Sequence, residues 1–301
     1  MIPETFEREK VCVFVRAYNA SKYISECLDS IINQNYPYEI YIKILYDKGS
    51  EDNTLETLER YVENLSNREN RFIEIIQHEH CSPFRSLLNY GIVKFYDKYD
   101  YFSILDYDNL YNDQYISKAV ETLKLSKSDF LYANPVVIVG DLSHIKGKLI
   151  ESALFNIKSR SRLKNIILRG NFIDGSTIFT TKEGCNLIRS KLIELSSPTY
   201  DWIFEDYSIG ILGLYYLNFT KLEGDFVYYR VHESNITYGD KELKKNILNF
   251  NRSILTRSSF LVLLKDKMNV AQKLYCSLFF SLEVFMYSLK LIHLGKIGNG
   301  K

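Results

Sequence analysis

Three times before residue 106 the chain repeats one pattern: an unbroken apolar run, a polar turn, then apolar residues at helical spacing. VCVFV (11–15) runs into the turn RAYNA. Ile24, Leu28, Ile31 and Ile32 then fall on one face of a helix that Asn19 or Ser21 can cap. IYIKILY (40–46) ends in DKGSEDNT, where Ser50 or Asp52 can cap the helical LETLERYVENL. RFIEII (71–76) passes a turn with Pro83 into a helix carrying Leu87, Leu88, Ile92 and Phe95. A fourth apolar run, FSIL, ends on Asp106, Tyr107 and Asp108. Continuous apolar runs suit strands covered on both faces, and their alternation with helices predicts a mostly parallel α/β sheet. Right-handed crossovers place the loops after the strand C-termini along one edge. The turns at Arg16 to Asn19, Asp47 to Asp52 and Asp106 to Asn109 are therefore expected to share one crevice.

The second half follows another rhythm. DFLYANPVVIVG, STIFTT and FVYYRV read as strands, and 182–195 and 204–217 as helices. The basic stretch 143–170 has weak periodicity and reads as a mobile or acceptor-side excursion. No low-complexity linker or internal repeat divides the chain. The expected organisation is one continuous domain, 1–239, with a C-terminal helical appendage over 240–301.

Composition narrows the function classes. The 301 residues are 46% hydrophobic and 25% charged, which fits a folded globular chain. With 38 basic against 37 acidic residues the formal charge is +1, so no electrostatic footprint argues for nucleic acid as a partner. Five widely spaced cysteines without a CxxC pair suit a reduced, cytoplasmic setting better than a disulfide scaffold or structural zinc. MIPETFEREK is too charged for a signal peptide.

Asp106 and Asp108 pose the chemical question. Two like charges at the end of a buried strand repel, and desolvating either is costly unless a cation or strong donors compensate. In order along the chain, VFVRAYNASKYISECLDSI, YDKGSEDNT, LDYDN, FEDYSIGI and YYRVHESNIT resemble the motifs of the inverting glycosyltransferases of family 2, which have the GT-A fold. That resemblance spans about residues 10–237. It implies a Rossmann-like central sheet flanked by helices, with a nucleotide-sugar half (about 1–110) and an acceptor half (about 111–239).

It also implies roles. Asp108, with Asp106 beside it, would hold Mn²⁺ or Mg²⁺, hard cations that oxygen ligands suit. Asp106 and Tyr107 would also face the nucleotide. In YDKGSEDNT, Asp47 matches the family's nucleotide-binding turn, whereas Lys48 replaces its second Asp. Asp47 would then supply the contact to the base, and Lys48 would reach a phosphate or an acidic group. Tyr18 and Asn19 match the first turn, where a ring lies against the base. Arg16 stands where a small residue or Thr is usual, and its fork can meet a phosphate or a carboxylate. Arg85 is a diphosphate candidate. Asp206 maps to the base that deprotonates the acceptor hydroxyl, with Glu205 orienting acceptor or loop. His232 would complete the metal shell or reach the diphosphate. Asp174, Gly175, Trp202 and Arg230 fall on the acceptor side.

The implied donor is a nucleotide-diphosphate-sugar, and the acceptor a glycan or a lipid-linked hydroxyl. The tail KLYCSLFFSLEVFMYSLKLIHLGKIG is interrupted by Lys273, Glu283 and Lys290 before a spanning length accumulates. Its helices can lie on the cytoplasmic face of an anionic membrane, pack on the catalytic half, or join two copies as a homodimer. Two other readings stay open: a sugar nucleotidyltransferase, although VFVRAYNASKY lacks a phosphate-loop glycine, and a nucleotide- or glycan-binding module without catalysis.

Overall fold

A computed structural model describes residues 9–65, 69–148, 159–168, 171–195 and 204–232, together with scattered residues between 256 and 281; of Asp141–Lys148 it gives the backbone alone. The expected α/β architecture is present. Strands β1 (Val11–Ala17), β2 (Ile40–Asp47), β3 (Arg71–His78) and β4 (Tyr101–Asp106) pair in parallel. They form one side of a seven-stranded sheet of order β10-β6-β9-β4-β1-β2-β3. β6 (Phe130–Ala133) and β10 (Phe219–Leu222) are parallel to each other, and β9 (Phe179–Thr181) runs antiparallel to both β4 and β6. A second sheet has the order β5-β11-β7-β8, from β5 (Leu110–Tyr111), β7 (Val136–Val139), β8 (Asp141–Lys148) and β11 (Val227–Val231).

Burial explains the apolar runs. Val11, Val13 and Val15 face one core with Ile24, Leu28 and Ile31, while Cys12 and Phe14 face the other with Leu87, Leu88 and Phe95. A sheet covered on both faces leaves no solvent side, so its inner strands carry no polar alternation.

Several expectations change in detail. Neither Asn19 nor Ser21 caps helix Ile24–Ile32, whose cap residue is Tyr23; both side chains are drawn to the β2 turn instead. At helix Thr54–Asn64 the cap residue is Asn53, and Asp52 accepts the Thr54 N–H at 3.1 Å. The helix after Pro83 is π-helical over Ser86–Ile92. DFLYANPVVIVG is two strands in two sheets, broken where Pro135 has no N–H to give a ladder. Within the expected excursion 143–170 lie the rest of β8, paired antiparallel with β7, and helix Arg160–Ile167.

Helix Glu205–Tyr216 is buried from Tyr207 to Tyr215. A Cβ on Gly213 would stand 2.6 Å from the Phe130 ring, so glycine permits the close seat of this helix on β6. Of the appendage, Phe260, Leu264, Met268 and Cys276 join the same core, and the Tyr216 hydroxyl donates to the Leu263 carbonyl at 3.0 Å. Among the described residues no helix is long and apolar enough to cross a membrane.

Candidate active site

Parallel register brings the first and fourth turns together. Arg16 on β1 lies opposite Asp106 on β4, and its Nε donates to Asp106 Oδ1 at 3.0 Å. A second nitrogen of the same fork also reaches Asp106, and the third reaches Glu205 Oε1 at the start of helix Glu205–Tyr216. One guanidinium thus ties the turn after β4 to the start of that helix. Burial alone would favour neutral Arg16, but Asp106 and Glu205 outweigh it and hold the cation more firmly than usual.

Asp108 faces a different partner. Its Oδ2 stands 2.9 Å from His232 Nε2, just past β11, and the imidazole lies against the Tyr23 ring at 4.9 Å. Arg230 is a brace beneath this turn. It is 2% exposed, its Nε donates to the Asp108 carbonyl at 3.0 Å, and its fork reaches Glu26 Oε2 at 2.6 Å and the Gly140 carbonyl. Asn109 accepts the Arg230 N–H at 3.0 Å, which fixes β11 to the same turn. Tyr107, between the two acids, has its phenol pushed up by burial and by both carboxylates.

The β2 turn forms the other wall. Asp47 accepts the Gly49 N–H on Oδ1 at 2.8 Å, and both its oxygens lie within 3.2 Å of His80 Nδ1. Tyr18 packs its ring on His80 at 5.4 Å. Asn19, in the left-handed region at φ +48°, accepts the Glu51 N–H at 2.7 Å and so fastens the β1 turn to the β2 turn. Lys48 pairs with Glu79 at 2.7 Å across the ends of β2 and β3. Arg85 ends the short Pro83–Arg85 turn, half-buried.

Asp174 and Asp206 are the remaining acids named from the sequence. Asp174 accepts the Ser176 N–H at 2.9 Å, and the Ser176 hydroxyl accepts from Asp106 N and from Asn109 Nδ2, joining this segment to the Asp106 turn. Gly175 lies against the Asp206 Cβ, 3.5 Å from where its own Cβ would be. Asp206 accepts from Asn171 Nδ2 at 2.8 Å and from the Tyr207 N–H at 2.6 Å. Burial, then the charge of Glu205, pushes its carboxyl up to about 8; burial and the nearby Asp106 push Asp174 up to about 7. Trp202 lies outside the described residues.

The sequence singles out no role for His80, Ser176 or Glu26, and names Asn109 only as the end of its turn. His80 had a signal: it follows the third strand, whose C-terminal end belongs to the same edge as the turns at 16, 47 and 106.

Asp108 and His232 suit a divalent cation. Their 2.9 Å separation equals the edge of an octahedron with bonds of about 2.1 Å, the spacing of two adjacent ligands. Among the described residues no group of three or more His, Cys, Asp or Glu side chains could hold a metal. A two-residue grip suits ions that take substrate phosphates and water as their other ligands.

Residues 12–194 match the sequence profile of the family described as Glycosyl transferase family 2. A Haemophilus influenzae protein named "Uncharacterized glycosyltransferase" is 38% identical over 123 residues, 41% of this chain and 35% of that protein. The Bacillus spizizenii poly(ribitol-phosphate) beta-glucosyltransferase is 40% identical over 58 residues, 19% of this chain and 9% of that protein. The chain thus spans about a third or less of the length of these curated relatives. In structure it resembles S. aureus TarS 1-349, crystallised in complex with UDP-GlcNAc, at TM-score 0.53 and 18% identity, covering 89% of this chain and 79% of that one. The profile match extends over more than half of the residues: the chain belongs to glycosyl transferase family 2.

Proposed function

We propose that this chain is an inverting, divalent-metal-dependent glycosyltransferase. It moves a hexosyl or hexosaminyl group from a nucleotide-diphosphate-sugar to a hydroxyl of a glycan or lipid-linked acceptor, in the synthesis of a surface polymer. The observation that carries this reading is the split among the crevice acids: Asp106 and Glu205 share a guanidinium, while Asp206 is pushed up to about 8. Separated acid–base characters within one site are the mark of divided catalytic roles. The UDP-GlcNAc complex of TarS and the glucosyltransferase name of the Bacillus relative favour this donor class.

Asp47 and Tyr18 take the base, Asn19 keeps their two turns together, and Asp106 and Tyr107 meet the nucleoside. Arg85 is the cation for the diphosphate, while Lys48 is held at the rim by Glu79. Asp108 and His232 hold Mn²⁺ or Mg²⁺, which when bound offsets the charge of the departing diphosphate. Asp206 accepts the proton of the acceptor hydroxyl as that oxygen attacks the anomeric carbon opposite the leaving group. Asn171 orients its carboxylate, Glu205 and Arg16 hold the helix start against the donor turn, and Asp174, Gly175 and Trp202 border the acceptor. Arg230 acts through the backbone of Asp108. The catalytic unit is residues 1–239, divided near 110, and the appendage packs on it through Phe260, Leu264 and Met268.

A screen of nucleotide-sugars tests the reading, by thermal shift and hydrolysis with Mn²⁺ and with chelator. A metal-dependent rise in melting temperature with at least one donor is expected. Its absence with every donor overturns the reading.

A further inference from the structure

His80 belongs to no motif that gave the family its resemblance, yet it stands over the carboxylate assigned to the base. Asp47 is buried, with a side chain 8% exposed, whereas His80 is 66% exposed. One oxygen of Asp47 already takes the Gly49 N–H at 2.8 Å, and the other faces the Cys81 N–H at 3.4 Å. Nδ1 of His80 bisects what remains, at 3.1 and 3.2 Å from the two oxygens. Gly49 makes room for it: a Cβ there would lie 2.8 Å from Nδ1 and 3.0 Å from the His80 Cβ.

The ring gap decides between a clamp and a plug. A base slotted between two rings needs about 7 Å, twice a van der Waals contact. Tyr18 and His80 stand 5.4 Å apart and tilted by 41°, so no base fits between them. We infer that His80 occupies the place of the base on Asp47, and that a nucleotide enters by displacing it. The imidazole is a built-in competitor, which only a base able to donate an N–H to the carboxylate can replace. This rests on the assignment of Asp47 to the base made above.

Calorimetric titration of the full chain with UDP, GDP, CDP and ADP, each with MnCl₂, tests it, with inorganic pyrophosphate as the base-free probe. An exposed imidazole–carboxylate contact corresponds to about a two- to fivefold competition. His80→Ala is expected to tighten the best nucleotide by that factor and leave pyrophosphate unchanged. His80→Asn, which keeps an N–H near the position of Nδ1, is expected to restore the parent affinity. Asp47→Ala is expected to weaken the nucleotide at least tenfold. If His80→Ala weakens the nucleotide, leaves it unchanged, or tightens pyrophosphate equally, the inference is overturned while the donor site stands. If the parent binds none of the four nucleotides, the donor-site reading falls and takes the inference with it.

Discussion

The proposed donor and acceptor rims of the crevice hold their aspartates differently, with Arg16 bridging Asp106 on one to Glu205 on the other. On the donor rim Asp106 meets a guanidinium and Asp108 an imidazole. On the acceptor rim Asp174 and Asp206 accept from N–H groups of Ser176, Asn171 and Tyr207, and Arg16 acts on Asp206 more weakly than burial or Glu205. Burial without a matching cation favours the neutral acid, so Asp206 is poised to exchange a proton near neutrality. A carboxyl clamped by a cation serves to hold charge in place; one left among neutral donors serves to move a proton.

The sharpest way to break that contrast is Asp206→Asn. Losing a general base costs about 10²- to 10⁴-fold in transfer. Nucleotide affinity, set on the other rim, should stay within about twofold of the parent in a binding titration. In the parent, kcat/KM should rise with pH through about 8, because only deprotonated Asp206 can accept the proton. The stability effect has the opposite sign. A carboxyl raised from 3.8 to about 8 binds more protons folded than unfolded, so the parent loses stability as pH rises across that window. The melting temperature of Asp206→Asn relative to the parent should therefore climb between pH 5 and pH 8 and level off above.

Next in size is Arg16→Met, which attacks the bridge between the rims. It leaves Asp106 and Glu205 partly buried with their shared cation gone, at a cost of about 3 kcal/mol in chemical denaturation. Adding Asp106→Asn and Glu205→Gln should recover part of that loss, as non-additivity within one network requires.

His232→Ala sharpens the donor rim alone. It removes one of the two side chains that suit the cation, so half-maximal activity should need about tenfold more Mn²⁺ or beyond. Melting temperature with chelator present should change little by comparison.

The sequence made the rims legible to different degrees. Apolar runs and intervening helices gave the four parallel strands, and the edge rule alone brought Arg16, Asp47 and Asp106 together, because burial on both faces writes itself into consecutive residues. On the acceptor side STIFTT and 204–217 read as strand and helix from their pattern, but only resemblance to known motifs singled out Asp174 and Asp206: β9 is antiparallel, so the edge rule for parallel strands does not reach it. Arg230 is the plainest example of what sequence hides. Nothing local distinguishes a buried brace from an acceptor contact, since its partners Glu26, Asp108 and Gly140 lie far away in the chain. The Arg16 link to Glu205, 189 residues on, is invisible for the same reason.

The smallest expected effect concerns Lys48, where the chain departs from its family's turn. Its ammonium pairs with Glu79, but both side chains are exposed, at 47% and 81%, and exposed pairs contribute little. Lys48→Ala should leave the melting temperature close to the parent's and shift nucleotide affinity by less than about twofold. If affinity instead falls tenfold, and the loss shrinks in high salt, Lys48 leaves Glu79 for the donor's phosphates when the nucleotide binds. The donor rim would then carry a movable cation beside the fixed guanidinium of Arg16, and the contrast between a rim that holds charge and a rim that moves protons would need a third kind of group.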